Sequence, residues 1–353
     1  METVKLEDLF QIAIEKNASD IHILPGYNPS VRINGELYPL RTYPVIDRDL
    51  SQKILLPILT DEQKGNFMAN KEIDFGYQYG DVRFRINMYH IKGAVAAAFR
   101  LITSNIRSID ALGLPEIMHS FTTMRQGFVL ITGPTGEGKS TSLAAILQEI
   151  NLNQSRHILT IEDPIEYVYP QGKSIISQRE LGQDTHGWSI ALKSALREDP
   201  DVVLVGEMRD YETIQAAMTI AETGHLVFST LHTNSVPQTI DRIVDVFPPQ
   251  QQNQVRIQLA STLRAVISQR LVPNVDNSGR IPGCEILISN AAVASTIREG
   301  KTHMIDNILE TSSEQGMVTF ERYLSTMYAQ GKITKEVALN YAIRPEQIKK
   351  YIS

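Results

Sequence analysis

The chain has 353 residues, 42% of them hydrophobic and 21% charged, so it has room for two ordinary domains or one large one, and a packed core is expected rather than disorder. A net charge of −6, with Lys and Arg scattered along the sequence, disfavours a protein that grips nucleic acid by neutralising phosphates, a local patch in a ring channel aside. The single cysteine, Cys284, excludes an intrachain disulfide framework and a four-cysteine zinc site and fits a reducing compartment.

The first residues, METVKLEDLF, lack the basic-then-apolar layout of a signal peptide, and no apolar run approaches the ~20 residues needed to span a bilayer. A soluble cytoplasmic protein is expected. LEDLFQIAIEKN places Leu6, Leu9, Phe10, Ala13 and Ile14 on one helical face, and Ser19-Asp20 breaks into the strand IHIL. In VRINGELYPL the pair Asn34-Gly35 predicts a tight β-hairpin. The segment FGYQYGDVRFRINMYHIKGAVAAAFRLI reads as an antiparallel meander with turns near Gly80-Asp81 and Lys92-Gly93. Residues 1–102 therefore form a small α+β unit, followed by a connector over 103–124 that contains Pro115 and little periodicity.

From Gln126 the texture changes. FVLIT, HILTI, DVVLVG and HLVFSTL are unbroken apolar runs of the kind buried on both faces of a parallel sheet, and SIALKSALRED and ETIQAAMTIAETG read as helices between them. The alternation predicts an α/β core with a mostly parallel sheet over 125–290. Residues 291–353 read as a helical segment.

GPTGEGKST, from Gly133 to Thr141, follows the strand FVLIT and precedes a helix, the context required of a phosphate-binding loop. Gly133, Pro134, Thr135, Gly136, Glu137 and Gly138 form the loop, whose glycines let backbone N–H groups turn toward phosphates at a helix N-terminus. Lys139 is expected to reach the β- and γ-phosphates of ATP, and Ser140, followed by Thr141, to bind Mg²⁺. Glu137 is unusual, because a carboxylate in a loop built for anions is repelled by its ligand. The expectation is that its side chain points away from the phosphates.

DVVLVGEMRD ends a buried strand in Gly206-Glu207, which puts Glu207 at the ligand-facing end of the sheet, placed to polarise an attacking water or else to pair with Arg209. HILTIEDPIEYVY ends in Glu162-Asp163, a pair suited to Mg²⁺ and its waters or to an ordinary polar loop. His225 and His232 bracket the strand in GHLVFSTLHTN, with His232 at the C-terminal end, able to sense a γ-phosphate, and His225 at the other.

The run from GPTGEGKST through TIEDPIEYVY, SQRELGQDT, ALREDPDVVLVGEMRD and GHLVFSTLHTNSVPQTIDRIVDVFP resembles the secretion ATPases of type II secretion and type IV pili, and the likeness covers nearly the whole chain. It implies a RecA-like P-loop NTPase core behind a small PAS-like N-terminal domain. It also implies Glu207 as catalytic carboxylate, both histidines and Glu162/Asp163 at the site, and Arg85 and Arg100 as arginines that reach phosphates. ASTIREGKTHMIDNILETSSEQGMVTFERYL resembles the C-terminal helices of the family's pilus-retraction branch. The resemblance implies a homohexameric ring with ATP between subunits, acting on an inner-membrane platform protein. An extension or secretion ATPase of the same family, a nucleic-acid-translocating ring and a non-hydrolysing scaffold are the competing readings.

Overall fold

Two β-sheets organise the chain in the computed structural model, which describes residues 4–102 and 105–352. The two first residues of the expected connector, Thr103 and Ser104, lie outside the described residues. One unit comprises Met1–Asn105, Pro164–Pro170 and Glu180–Asp184, and the other Ile106–Asp163, Gln171–Arg179 and Thr185–Ser353.

The first unit holds a six-stranded antiparallel sheet of β1 (Asp20–Ile23), β2 (Ser30–Ile33), β3 (Glu36–Pro39), β4 (Glu72–Tyr79), β5 (Val82–Ile91) and β6 (Ala94–Ile102), in the order β3-β2-β1-β6-β5-β4. The β2–β3 turn is the Asn34-Gly35 pair, with φ of 51° and 86°, and Lys92-Gly93 repeats the solution at 49° and 78°. Both pairs have the left-handed backbone that a two-residue hairpin turn demands. The helix Leu6–Glu15 buries Leu6, Leu9, Phe10 and Ala13, with Phe10 stacked on Phe84 at 4.5 Å between centroids. Two further helices, Arg48–Leu55 and Asp61–Asn70, were not legible in the sequence, because each buries only one or two side chains. The second is fixed by a reciprocal capping box between Thr60 and Gln63.

In the second unit β7 (Gly127–Thr132), β8 (His157–Glu162), β9 (Ile175–Glu180), β10 (Val202–Val205), β11 (Leu226–Leu231), β12 (Leu263–Pro273) and β13 (Arg280–Ile288) form a sheet in the order β13-β12-β7-β11-β10-β8-β9. The contacts β12–β7, β7–β11, β11–β10 and β10–β8 are parallel, and β12–β13 is antiparallel. Every residue of β7, β10 and β11 is buried, as expected for strands covered on both faces. The long β12–β13 hairpin is the main element that the sequence hid, since Arg264, Ser268, Gln269 and Arg270 interrupt its apolar run. The C-terminal helices Phe320–Ala329, Lys335–Tyr341 and Pro345–Tyr351 share a small core with Val272 of β12, built on Phe320, Leu324, Ile333 and Ile348.

Candidate functional site

Parallel pairing sets the ends of four strands in one row. Thr132 of β7 lies opposite Leu231 of β11, and Ser229, Val205 and Ile161 line up across β11, β10 and β8. The residues that follow each strand therefore emerge at one edge, where a doubly covered parallel sheet presents its crevice.

The loop 133–138 leaves β7 and enters the helix Lys139–Asn153. Gly133 has φ +143°, and a Cβ there would lie 2.3 Å from the Gln269 carbonyl oxygen, so β12 admits only glycine. Gly136 and Gly138 also have positive φ, at 82° and 77°. Lys139 is buried and donates to the Gly133 and Pro134 carbonyls at 2.8 Å each, which curls the loop around its ammonium. Helix N–H groups, a buried ammonium and glycines without side chains form a cradle that fits a polyphosphate.

Glu137 does turn away from that cradle. Its carboxylate accepts the Leu271 N–H of β12 at 2.5 Å, and its carbonyl accepts from Gln269 Nε2 at 2.6 Å. Gln269 also accepts from Ser142 on the following helix at 2.8 Å. Beyond Ser268, β12 has no partner in β7, so the loop takes over as that strand's hydrogen-bonding neighbour.

Glu207 follows β10 after Gly206, whose N–H donates to the Ile161 carbonyl at 2.9 Å and whose carbonyl accepts from Thr230 Oγ1 at 2.7 Å. The carboxylate meets His232 Nε2 at 3.0 Å through one oxygen and Arg209 Nη2 at 2.9 Å through the other. On its far side the His232 ring places Nδ1 3.2 Å from Thr135 Oγ1 in the phosphate loop. With the proton on Nε2, the imidazole donates to Glu207 and accepts from the Thr135 hydroxyl. Burial pushes the Glu207 carboxyl up, but the hydrogen bonds from Arg209 and His232 and the positive charge of Arg209 outweigh it and hold the group below the ordinary carboxylate range. Glu207, Arg209, His232 and Thr233 line a cavity of about 500 Å³. Glu207 pairs with Arg209, and it stands at the edge of the sheet where the strands end.

His225 is not brought to this point. It lies before the six-residue β11, roughly 20 Å from His232 at strand spacing. Its Nδ1 is 3.0 Å from the Ile220 carbonyl and 3.1 Å from Thr223 Oγ1, at the end of the helix Tyr211–Glu222. Glu162 is buried and accepts from Thr160 Oγ1 at 2.7 Å and Gln178 Nε2 at 3.3 Å, and Asp163 is exposed. Among the described residues no group of three or more His, Cys, Asp or Glu is arranged to hold a metal by itself. The side chains of Ser140, Glu162 and Asp163 offer hard oxygen, which suits Mg²⁺, and Mg²⁺ sites commonly use few protein ligands plus waters and phosphate oxygens, as the placement of Glu162 on β8, beyond β11 and β10 from β7, would require.

In the first unit Arg85 and Arg100 stand directly opposite each other on β5 and β6. Each is offset by a carboxylate of its own sheet: Asp74 accepts from Arg85 Nη2 at 2.6 Å, and Asp20 from Arg100 Nε at 3.1 Å. Neighbouring Arg83 is different. It pairs at 2.7 Å with fully buried Glu180, which also accepts the Gly76 and Ile165 N–H groups.

Residues 3–335 match the family model for the type II/IV secretion system protein. The chain belongs to that family. Within it, the chain is similar to the type IV pilus retraction ATPase PilT of Pseudomonas aeruginosa, 42% identical over 97% of this chain and 99% of the relative. A twitching motility protein of Neisseria gonorrhoeae is 45% identical over 91% of this chain and 86% of its own length. A crystal structure of the pilus retraction motor PilT with bound ADP superposes with a TM-score of 0.90 at 43% identity, covering 98% and 99% of the two chains. The ATPase DotB of Legionella pneumophila gives 0.84 at 29% identity, over 94% and 93%. As a secretion-family protein the chain has the α/β core, antiparallel N-terminal sheet and helical C-terminus expected of it, and among the described residues no helix is long and apolar enough to cross a membrane.

Proposed function

We propose that this chain is a motor ATPase that hydrolyses Mg-ATP to drive type IV pilus retraction and hence twitching motility. The observation that carries the reading is the linked array Thr135–His232–Glu207 beside the phosphate loop, in a chain that aligns end to end with a pilus retraction ATPase. Lys139 and the N–H groups of the loop hold the β- and γ-phosphates, with Lys139 exchanging its two carbonyl partners for phosphate oxygens. Ser140 would hold Mg²⁺, with Glu162 and Asp163 toward its waters, and the ion would supply positive charge against the negative charge on the phosphates. Glu207 accepts a proton from, or orients, the attacking water, and His232 aligns Glu207 while reporting through Thr135 on the state of the loop. Arg85 and Arg100 stabilise transition-state charge after releasing Asp74 and Asp20. His225 acts indirectly, by holding the end of the helix that precedes β11.

The working form is a homohexamer in the cytoplasm, applied to the inner face of the membrane through a platform protein, with functional parts over 1–102, 125–290 and 291–353 and a linker between the first two. Nucleic acid is not part of the cycle, in keeping with the net charge of −6. Expression in a bacterium lacking its own retraction ATPase tests the assignment. Restored twitching that disappears with Glu207→Gln is the expected result, whereas failure there together with restored pilus assembly in a strain lacking its extension ATPase would assign the protein to extension instead.

A further inference from the structure

The helix Val236–Asp245 begins four residues after His232, and its first N–H groups have no partners within the helix. Ser235 caps the Gln238 N–H, and Gln238 Oε1 accepts the Asn234 N–H at 2.8 Å. Thr233 and Thr239 hydroxyls meet at 2.6 Å, and Thr239 reaches Thr132 at 3.4 Å. The Val236 N–H instead donates at 2.7 Å to Glu285, which lies 49 residues further on in β13 and opposite Ser268.

Glu285 is completely buried, and so is Glu321. Arg344, in the turn before the last helix, places Nη1 3.3 Å from Glu285 and 3.2 Å from Glu321, and Nη2 2.6 Å from Asp306. Glu321 also accepts the Arg344 backbone N–H at 2.7 Å. Three carboxylates, two of them fully buried, thus share one half-buried guanidinium, a costly arrangement for which a helix start with its own serine cap has no need. Burial pushes the Glu285 carboxyl above the ordinary range, against the Val236 N–H and Arg344.

We propose that Glu285 is a positioning residue: by holding the Val236 N–H it fixes the loop that carries His232, and Arg344 of the C-terminal helices holds Glu285. The proposal rests on the ATPase reading above. Slack at Val236 lets His232 drift from Glu207 and Thr135, which misplaces the water-activating carboxylate while the phosphate cradle stays intact. The consequence is a loss in kcat with little change in KM.

The test is steady-state Mg-ATP turnover per folded subunit for wild type, Glu285→Leu, Glu285→Gln and Glu207→Gln. Glu285→Leu is expected to lower kcat roughly 10- to 100-fold with KM within about twofold. Glu285→Gln, which retains an acceptor for Val236, is expected to recover to within about threefold of wild type. Should the leucine variant not fold, Val236→Pro removes the N–H, together with the packing of a buried valine side chain, at a helix position that accepts proline, after a Ser235 already extended at φ −153°. It is expected to show the same kcat loss. Wild-type kcat in either folded variant, or a loss that follows the melted fraction and is not rescued by glutamine, would overturn the proposal. An inactive wild type, or a Glu207→Gln variant as fast as wild type, would instead remove the ATPase reading and the proposal with it.

Discussion

His232 Nε2 lies 3.0 Å from Glu207 Oε1, and the same ring touches Thr135 of the phosphate loop at 3.2 Å. One imidazole thus spans from the loop to the carboxylate at the end of β10, and a displacement of the loop is felt at Glu207 through two hydrogen bonds.

Arg209 sets the acid side of the pH profile. Burial disfavours the Glu207 carboxylate, and Arg209 and His232 together reverse that and hold its protonation below the ordinary range. Removing a cation that favours the ionised form raises the pKa, so the acid limb of kcat for Arg209→Ala is expected to move to higher pH. Activity near pH 8 is expected to change little. A limb that stays in place would show that Glu207 is not the group titrating there.

Glu137 should matter to the loop's anchorage more than to its ligand. Its carboxylate faces the Leu271 N–H, away from the cradle. Glu137→Ser leaves that donor without its acceptor, at a cost of about 1 kcal/mol in stability. Nucleotide affinity, measured by calorimetry, should change by less than about tenfold, since the charge removed does not point at the phosphates. A much larger gain in affinity would contradict the observed orientation.

His119 supplies a pH-dependent tie to the phosphate-loop helix. Its Nδ1 sits 2.8 Å from Glu149 on that helix and its Nε2 3.2 Å from Asp110. The hydrogen bond to Glu149, then that to Asp110, raises its pKa above the ordinary value. A raised folded-state pKa contributes stability that is fully present below the unfolded value of about 6.5 and is lost as pH rises through the folded value. The Tm difference between wild type and His119→Gln should therefore be largest near pH 6 and shrink toward pH 9. A constant difference across that range would rule out protonation as its source.

The parts of the fold that the sequence made legible are those whose physics is local. Strands such as FVLIT and HLVFSTL are buried on both faces and read as apolar runs, and Asn34-Gly35 and Gly133–Lys139 carry their backbone geometry in their glycines. What stayed hidden depends on distant partners. The acceptor role of Glu137 needs Leu271, 134 residues away, and Glu285 is one acidic letter in a β-run until Val236 and Arg344 reach it. His232 could be placed at a strand end from the sequence, but its choice of Glu207 and Thr135 follows from the strand order β7-β11-β10, which no local pattern encodes. The fifteen-residue spacing of Arg85 and Arg100 makes sense only once β5 and β6 pair them face to face.

The measurement that bears most directly on the account is Mg-ATP turnover by the purified protein at concentrations bracketing ring formation, beside Lys139→Ala and Glu207→Gln. Turnover is expected to rise with assembly, to vanish in Lys139→Ala, and to fall at least ~10²-fold in Glu207→Gln while that variant still binds ATP. Assembled wild-type rings that bind ATP and release no phosphate would contradict it.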